Sequence, residues 1–215
     1  MQFEGLRRDM VILGCGHRET KREIRRDAIL AAASELFLEK GYEATTLSDI
    51  VGRSGGSLAT LYEMFENKPG LLRALVGDRC SQVSDTFDRV LSSEMPARDA
   101  LRAIAEYKFE KVIDPNATAL FKAALAQPDL ARKLYEAGPA NGEAMLAEYL
   151  ASQSKAGNLS VDDPLFAAQM FFQMMFGHFH QQLLFGVPLT LSATEKARHF
   201  DKVLDAYFKI YGPAA

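Results

Sequence analysis

Two adjacent glycines, Gly55 and Gly56, separate two short runs that both have the apolar spacing of an amphipathic helix. The first run lies at 47–54 and the second at 58–65. Glycine adopts the positive φ angles that a tight turn needs, and Ser57 is a favourable cap for the second run. The pattern predicts two short helices joined by a tight turn, which is a helix-turn-helix.

Helix signals also flank this pair on both sides. Thr20 and Glu23 have the spacing of a capping box, and Gly41 is placed to end the helix that they begin. Asn67 is a favourable cap for a further helix, whose first turn accepts Pro69. The helix-turn-helix is therefore expected to pack against a preceding and a following helix.

The remaining chain continues as helices, and no segment favours a strand. Breaks that contain proline, glycine, asparagine or aspartate leave segments of about 10 to 25 residues, the usual length for bundle helices. These breaks lie at Pro96, 114–116, 127–129, Gly138-Pro139, 157–158, 163–164 and 186–188. The chain is predicted to be all-α, with a flexible arm at 1–19, a three-helix helix-turn-helix domain at 20–68 and a helical domain at 69–215.

Composition and charge disfavour several classes of protein. The net charge is −3, which argues against a protein that coats nucleic acid through phosphate neutralisation. Cys15 and Cys80 are the only cysteines, so they cannot build a disulfide framework and they suit a reducing compartment. The most apolar segment, 165–185, contains too many glutamines and histidines for a lipid span. We expect a cytoplasmic protein.

Two stretches carry a specific pattern: "AILAAASELFLEKGYEATTLSDIVGRSG" at 28–55 and "SLATLYEMFENKPGLL" at 57–72. With them, residues 21–72 resemble the N-terminal DNA-binding domain of the TetR family of transcriptional regulators. Further along, "LFKAALAQPDLARKLYEAGPANGEAMLAEYL" and "VDDPLFAAQMFF" are similar to the C-terminal domain of the AefR-like branch of that family. This resemblance implies a helical domain that binds a ligand and forms a dimer.

The chain departs from the family pattern at three positions. Gly56 stands where relatives usually carry an apolar turn residue such as valine. Gly52 replaces a helix former, which costs about 1 kcal/mol relative to alanine in a helix interior. Leu58 occupies a position where many relatives have a polar or basic residue, so that direct hydrogen bonding to a base is not expected there.

Helix-turn-helix proteins place the second helix of the motif in the major groove, with its N-terminal residues toward base edges. Thr60 can bond a base or a phosphate, whereas Leu58 and Ala59 can touch a thymine methyl group. Leu58 also has the spacing to pack inward with Leu61 and Phe65, and the sequence leaves both interpretations open.

Further residues are assigned to the DNA backbone by the resemblance. It implies that Tyr62 and Lys68 bind phosphates, and that Thr46 and Ser48 present the preceding helix to the backbone. The alternative for Thr46 is that it only caps the helix that follows it and does not contact DNA. A basic run is either a phosphate contact or a solvated helix face, and its members are Arg18, Lys21, Arg22, Arg25 and Arg26. The predicted DNA-binding residues are Thr46, Ser48, Ser57, Leu58, Ala59, Thr60, Tyr62 and Lys68.

One short reading helix covers too few base pairs for useful specificity, so a homodimer on double-stranded operator DNA is expected. The segments 164–186 and 194–211 have the apolar spacing for an isologous four-helix bundle between two copies. The predicted dimer residues are Phe166, Met170, Phe200, Leu204, Tyr207 and Phe208.

Aromatic and methionine side chains in the middle of the chain predict an apolar cavity for a hydrophobic or amphipathic effector. The alternative for each of them is an ordinary position in the helical core. The predicted effector-binding residues are Tyr107, Phe109, Phe121, Tyr135, Met145, Phe171, Met174 and His178. The family resemblance implies that such an effector releases a repressor from its operator.

Two other functional classes have less support in the sequence. No HExxH, P-loop, GxGxxG or GxSxG motif occurs, so we expect no catalytic activity, metal or cofactor. His178 and His180 are two residues apart and point to different helix faces, which argues against joint metal binding. The remaining alternative is a helical small-molecule-binding or adaptor protein that has lost DNA binding.

Overall fold

The computed structural model describes residues 20–213, so the predicted arm at 1–19 lies outside the described residues. The described residues form helices and no strand, which confirms the all-α prediction. Four helices open the fold, and they are α1 (Lys21–Lys40), α2 (Leu47–Ser54), α3 (Leu58–Phe65) and α4 (Lys68–Leu91).

The predicted start and stop signals of these helices are confirmed. Thr20 and Glu23 form a capping box at the start of α1, and Gly41 ends that helix. The Ser57 hydroxyl accepts a backbone hydrogen bond in the first turn of α3, and the Asn67 side chain does the same for α4. Local capping chemistry therefore sets the ends of the helix-turn-helix.

The second half of the chain is a helical bundle with one π-helical turn, at Glu136–Ala140. Its α-helices are α5 (Ala97–Ile113), α6 (Pro115–Leu125), α7 (Pro128–Tyr135), α8 (Asn141–Lys155), α9 (Pro164–Leu184) and α10 (Ala193–Tyr211).

The break predicted at Gly138-Pro139 is wrong. The chain passes from α7 through the π-helical turn into α8 with helical φ and ψ angles on both sides. Proline lacks a backbone N–H and clashes with the preceding turn, and a single wider turn accommodates such a residue without ending the helix.

Two hydrophobic cores organise the molecule, and we call the first the reader core. It combines α1, α2 and α3 with the first half of α4 and with α6 and α7. Leu120 and Ala124 of α6 and Leu130 and Leu134 of α7 are buried in it. The reader core therefore includes residues well beyond the predicted domain end at residue 68.

The second core, which we call the effector-domain core, lies among α5, α8, α9, α10 and the second half of α4. Aromatic rings dominate it: Phe109 meets Phe179 and Phe200 edge to face, and Phe171 meets Tyr207 in the same way. No helix among residues 20–213 is long and apolar enough to cross a bilayer.

Two ion pairs tie α4 to its neighbours. Arg26 of α1 makes a bidentate pair with Asp78 at 2.8 and 2.7 Å, and Arg79 pairs with Asp114 at 2.9 Å. Asp114 also caps α6, so the ends of α5 and α6 are held against the middle of α4. This arrangement links the reader core mechanically to the effector-domain core.

Candidate DNA-binding and effector-binding sites

The turn between α2 and α3 is built around Gly55 and Gly56, whose φ angles are +76° and +85°. Arg25 of α1 donates hydrogen bonds to the carbonyls of Ser54 and Gly55, so its guanidinium covers the turn. A Cβ atom at position 56 would overlap that guanidinium. The departure from the family pattern at Gly56 thus has a physical reason, because an apolar side chain would displace Arg25.

The helix α3, hereafter the reader helix, is anchored by two buried residues, Leu61 and Phe65. Leu58 is 38 % exposed and Tyr62 is 51 % exposed, so neither side chain is part of the reader core. Ala59 is exposed beside them. This outward position of Leu58 favours DNA contact over the inward packing that the sequence left open.

Polar groups at the start of the reader helix are ordered before DNA arrives. The Ser57 hydroxyl accepts a hydrogen bond from the Thr60 backbone N–H at 3.1 Å and lies 3.0 Å from the Thr60 hydroxyl. Ser57 is exposed and Thr60 is half-buried, and both lie on the first turn. The two hydroxyls therefore lie together at the N-terminal end of the reader helix, in the same turn as Leu58 and Ala59.

The start of α2 is fixed by a capping box. The Thr46 hydroxyl accepts a hydrogen bond from the Asp49 backbone N–H at 3.1 Å, and Asp49 accepts one from the Thr46 backbone N–H at 3.0 Å. Lys40 pairs with the other Asp49 oxygen at 3.2 Å. These contacts lower the pKa of Asp49, chiefly through the backbone hydrogen bond from Thr46. Thr46 is thus a cap, while Ser48 is exposed and without such a role.

Lys68 lies in a position that the resemblance did not imply. Its ammonium group donates to the carbonyls of Tyr42, Glu43 and Thr45 at 2.8, 3.1 and 3.1 Å, and it lies 4.5 Å from the centre of the Tyr42 ring. All three ammonium hydrogens therefore have acceptors within the domain. This arrangement favours a positioning role for Lys68 over the phosphate contact that we predicted.

The basic residues around the reader helix are mostly paired within the domain. Arg53 makes a bidentate pair with Glu39 at 2.6 and 2.8 Å, and Arg25 and Arg26 have the partners described above. Lys21 and Arg22 are exposed and form no ion pair with any described residue. Of the predicted basic run within residues 20–213, these two retain charges that are free for phosphates.

The residues predicted for the dimer surface divide into exposed or half-buried ones and fully buried ones. Phe166 is 54 % exposed on α9, and Met170 follows one turn later, half-buried. Phe200, Leu204 and Tyr207 are buried in the effector-domain core, and their assignment to a dimer surface is wrong. Their stripe of α10 packs against α5 and α9 of the same chain, where the Tyr207 hydroxyl donates to the Ala167 carbonyl at 3.1 Å.

An exposed strip remains on α9 and α10. On α9 it runs from Phe166 through Met170 and Gln173 to Gly177, which recur at helical intervals. On α10 it includes Ile210, which is 58 % exposed and which the sequence prediction missed because it lies off the main apolar stripe. Phe208 is half-buried beneath Arg98, whose guanidinium lies 5.5 Å from its ring centre.

The predicted effector residues do not line one cavity. Phe109 and Phe171 are fully packed in the effector-domain core, which favours the alternative of an ordinary core position over a cavity wall. Phe121 packs on the reader core, and Tyr135 is 56 % exposed. His178 is also exposed. The three that remain half-buried against the effector-domain core are Tyr107, Met145 and Met174.

Two open grooves lie on the described surface. One has a volume of about 360 Å³ and lies between the α5–α6 corner and the loop after α9, where Ile113, Leu183 and Val187 line it. The other has a volume of about 380 Å³ and lies beside the α6–α7 turn, lined in part by Arg73 and Leu130. Neither groove is lined by a residue predicted for the effector.

Comparison with known proteins assigns both halves of the chain. Residues 29–75 match the family described as bacterial regulatory proteins, tetR family. Residues 99–213, more than half of the 215-residue chain, match the family described as AefR-like transcriptional repressor, C-terminal domain. The chain belongs to the TetR family. It is therefore a DNA-binding transcriptional regulator, as the resemblance implied.

Several relatives of this TetR-family regulator are informative. A TetR-family transcriptional regulator from Mesorhizobium loti superposes with a TM-score of 0.81 at 28 % identity, over 90 % of this chain and 100 % of that one. The Flavonoid-responsive Regulator FrrA superposes with a TM-score of 0.66 at 29 % identity, over 89 % and 98 %. The repressor ComR of Escherichia coli is 51 % identical over 82 residues, 38 % of each chain.

The TetR-family regulator also carries a group in its effector domain that the sequence prediction omitted. The ammonium of Lys108 lies 3.8 Å from the ring centre of Phe172 and 5.6 Å from that of Phe176. The side chain keeps some contact with solvent, but burial of its charged end lowers the pKa of Lys108 to about 8, against an opposing effect of Glu143. A signal was present, because Lys108 continues the apolar stripe that runs through Leu101 and Ile104.

Proposed function

We propose that this TetR-family regulator is a cytoplasmic homodimeric repressor that binds operator DNA through the reader helix and is released by a small-molecule effector. The observation that carries the proposal is the outward edge of the reader helix, where Leu58, Ala59 and Tyr62 are exposed while Leu61 and Phe65 are buried. A helix held in this way presents a fixed edge to the major groove.

Recognition by this edge is partly apolar. Leu58 and Ala59 suit thymine methyl groups, and the Thr60 hydroxyl suits a base or a phosphate. The net contact with phosphates is modest, because most described basic residues of the reader domain are paired internally and Lys21 with Arg22 supply the free charges. Specificity is therefore expected to depend more on the fit of the reader helix than on bulk electrostatic attraction.

Two copies are required for a useful operator, and the exposed strip on α9 and α10 is the surface for that contact. The strip joins an exposed ring at Phe166 to a glycine at Gly177, which lets two helices approach closely. A dimer formed through this strip places the two reader helices at a fixed separation, which an effector can change.

The effector is proposed to be hydrophobic or amphipathic and to bind the effector domain. FrrA, which is 29 % identical, is flavonoid-responsive by its name and shares the fold over 89 % of this chain. The packing of α6 and α7 against α4, which in turn contacts the reader helix, gives the effector domain a mechanical path to that helix through α4. A ligand needs only a differential affinity worth about 1 to 3 kcal/mol between two arrangements to change operator binding.

The first experiment is fluorescence anisotropy with the DNA upstream of the protein's own gene, followed by a selection from random duplexes if that DNA is not bound. Thr60→Ala and Leu58→Ala are expected to flatten the preference between operator and mutated operator, since both side chains are proposed to contact bases. Arg22→Ala is expected to weaken binding to all duplexes and to reduce the salt slope by about 2, because each of the two subunits loses one phosphate contact.

Lys155→Ala is the matched control for Arg22→Ala, because it removes one exposed positive charge in α8, far along the chain from the reader helix. Its operator affinity and salt slope should equal those of the wild type. If neither the upstream DNA nor any selected duplex is bound, the proposal fails and a helical small-molecule-binding or adaptor protein becomes the better description.

A further inference from the structure

The ammonium group of Lys108 lies over aromatic rings of the effector-domain core and has no polar partner among the described residues. Among residues 20–213, no carboxylate oxygen lies within 4.0 Å of it and no acceptor lies within hydrogen-bond distance. Its close neighbours are the ring faces of Phe172 and Phe176 on α9. Arg102 of α5 and Lys196 of α10, which are also half-buried, have carboxylate partners.

The nearest acidic group is already engaged elsewhere. The Glu143 carboxylate on α8 accepts a hydrogen bond from the Gln169 side chain at 3.1 Å. The Glu143 carboxylate lies beyond ion-pair distance from the Lys108 ammonium, so it acts on Lys108 only through longer-range attraction. The protonated Lys108 is therefore stabilised by contact with ring faces. In a partly desolvated site, this contact is weaker than a hydrogen bond to an anion.

The surroundings of Lys108 suit an amphipathic molecule. Phe172 stacks at 6.1 Å from Phe87, so an aromatic surface from α4 to α9 lies beside the ammonium group. Polar side chains border the same region between α4 and α8: the Asn141 amide donates to the Ser84 hydroxyl at 2.9 Å. A charged end and an apolar wall therefore occur together, as small-molecule sites require.

We infer that Lys108 binds the acidic head group of an amphipathic effector, a carboxylate or an ionised phenol, whose apolar part lies against Phe172 and Phe176. This inference rests on the proposed function, in which an effector binds the effector domain, and it adds the chemical class of that effector. Binding exchanges the ring contacts of the ammonium for a charge-assisted hydrogen bond. It also pulls on α5, whose end is fixed to α4 and α6 through Asp114.

The test uses matched probes, because the effector itself is unidentified. A decyl chain and a naphthalene ring each carry one of three heads: a carboxylate, an uncharged hydroxymethyl group or a trimethylammonium group. Binding to the full-length protein is measured by calorimetry at pH 7. The carboxylate is expected to bind at least about tenfold more tightly than the hydroxymethyl probe of the same body, which corresponds to about 1.4 kcal/mol.

Three variants separate the charge of Lys108 from its packing. Lys108→Met keeps a long apolar side chain and should abolish the preference for the carboxylate, whereas Lys108→Arg should retain it. Lys111→Met is the matched control, because Lys111 lies on the same helix with its ammonium 5.3 Å from the Tyr107 ring centre. It should leave the preference unchanged.

The preference should also depend on pH. Lys108 is charged below its pKa of about 8, so the carboxylate preference should be present at pH 7 and decline above pH 8. Glu143 and His180 also face the site, and partial desolvation with the Lys108 charge lowers the pKa of His180 to about 4, although much of that residue is exposed. His180 is therefore neutral across this range and adds no competing step.

The inference is overturned if Lys108→Met keeps the carboxylate preference, if the trimethylammonium probes bind best, or if none of the probes binds. Operator binding without any probe is measured in parallel for the wild type and Lys108→Met. If the protein binds operator DNA but the head-group test fails, only this inference is refuted. If the wild type does not bind operator DNA, the proposed function itself is refuted.

Discussion

Gly56 shows how one residue can satisfy two constraints in the reader turn. It has a φ angle of +85°, and its missing side chain leaves the space that the Arg25 guanidinium occupies. Replacement by alanine should lower the free energy of unfolding by about 1 to 3 kcal/mol, because a residue with a side chain is strained in this conformation. Chemical denaturation of Gly56→Ala measures the loss.

Gly52 provides the matched control for that change. It lies in the interior of α2 with a helical conformation, and nothing lies within 4 Å of an added Cβ. Gly52→Ala should therefore stabilise the protein by about 0.5 to 1 kcal/mol. In an Arg25→Ala background, Gly56→Ala should cost less than in the wild type. An equal cost in both backgrounds would show that Arg25 does not occupy the space beside position 56.

Lys68 joins the start of α4 to the loop before α2 through three carbonyls. Lys68→Met should lower the free energy of unfolding by about 1.5 to 3 kcal/mol, since charge-assisted hydrogen bonds are lost and carbonyl groups are left without donors. The salt slope of operator binding should stay at the wild-type value, because no phosphate contact is removed. Denaturation and anisotropy in a salt series measure the two effects.

Lys155→Met is the control for stability, and it should shift the free energy of unfolding by no more than about 0.5 kcal/mol because the side chain is exposed. If the salt slope of Lys68→Met falls by about 2, one phosphate contact per subunit has been lost, and the role that the family resemblance implied for Lys68 is supported. The salt slope therefore distinguishes a positioning role of Lys68 from a phosphate contact, whereas operator affinity alone does not.

Among the elements, α6 supports the reader helix from the far half of the chain. Leu120 is 2 % exposed and is buried in the reader core. Leu120→Ala should lower the free energy of unfolding by about 2 to 5 kcal/mol and should speed hydrogen exchange in α1 and α4, because α6 packs against both helices and the cavity opens beside them. Hydrogen exchange resolved by segment measures the effect.

Leu125 lies on the same helix but is 44 % exposed, so Leu125→Ala should leave exchange in α1 and α4 unchanged. If both variants affect the reader domain equally, then α6 acts through overall stability and not through its packing. If neither does, the shared core has no mechanical role.

Helix ends were predictable, and contacts between distant elements were not. Gly41, Ser57 and Asn67 act within one turn of their own positions, so their caps follow from local spacing. The acceptors of Lys68 lie 23 to 26 residues away in the chain, and no local pattern encodes them. The same limit explains why Phe109 and Phe171 were assigned to a cavity: an apolar stripe has the same spacing whether it lines a core or a pocket.

For the whole molecule, the proposed dimer contact through the exposed strip on α9 and α10 is the feature to test, because it would hold two reader helices together. Phe166→Glu should convert the dimer to a monomer, because a carboxylate would be buried in an apolar contact without a partner. Light scattering coupled to size exclusion should give the mass of one chain. The salt slope of DNA binding should fall to roughly half, since a monomer neutralises about half as many phosphates.

Tyr135→Glu is the matched control, because Tyr135 is a similarly exposed aromatic residue on α7 and lies off the strip. It should remain a dimer with unchanged operator affinity. A dimeric Phe166→Glu variant would move the proposed interface to another surface.

The passage of α4 through both cores has a consequence for recombination and for the construction of biosensors. Leu71 to Val76 lie in the reader core and Phe87 lies in the effector-domain core, with no break in the helix between them. A chimaera cut at residue 68 would leave the transplanted reader without the helices that complete its interior. An exchange that keeps α4 with α6 and α7 transfers the reader as an intact unit, so the exchangeable part of this protein is not a continuous segment of its gene.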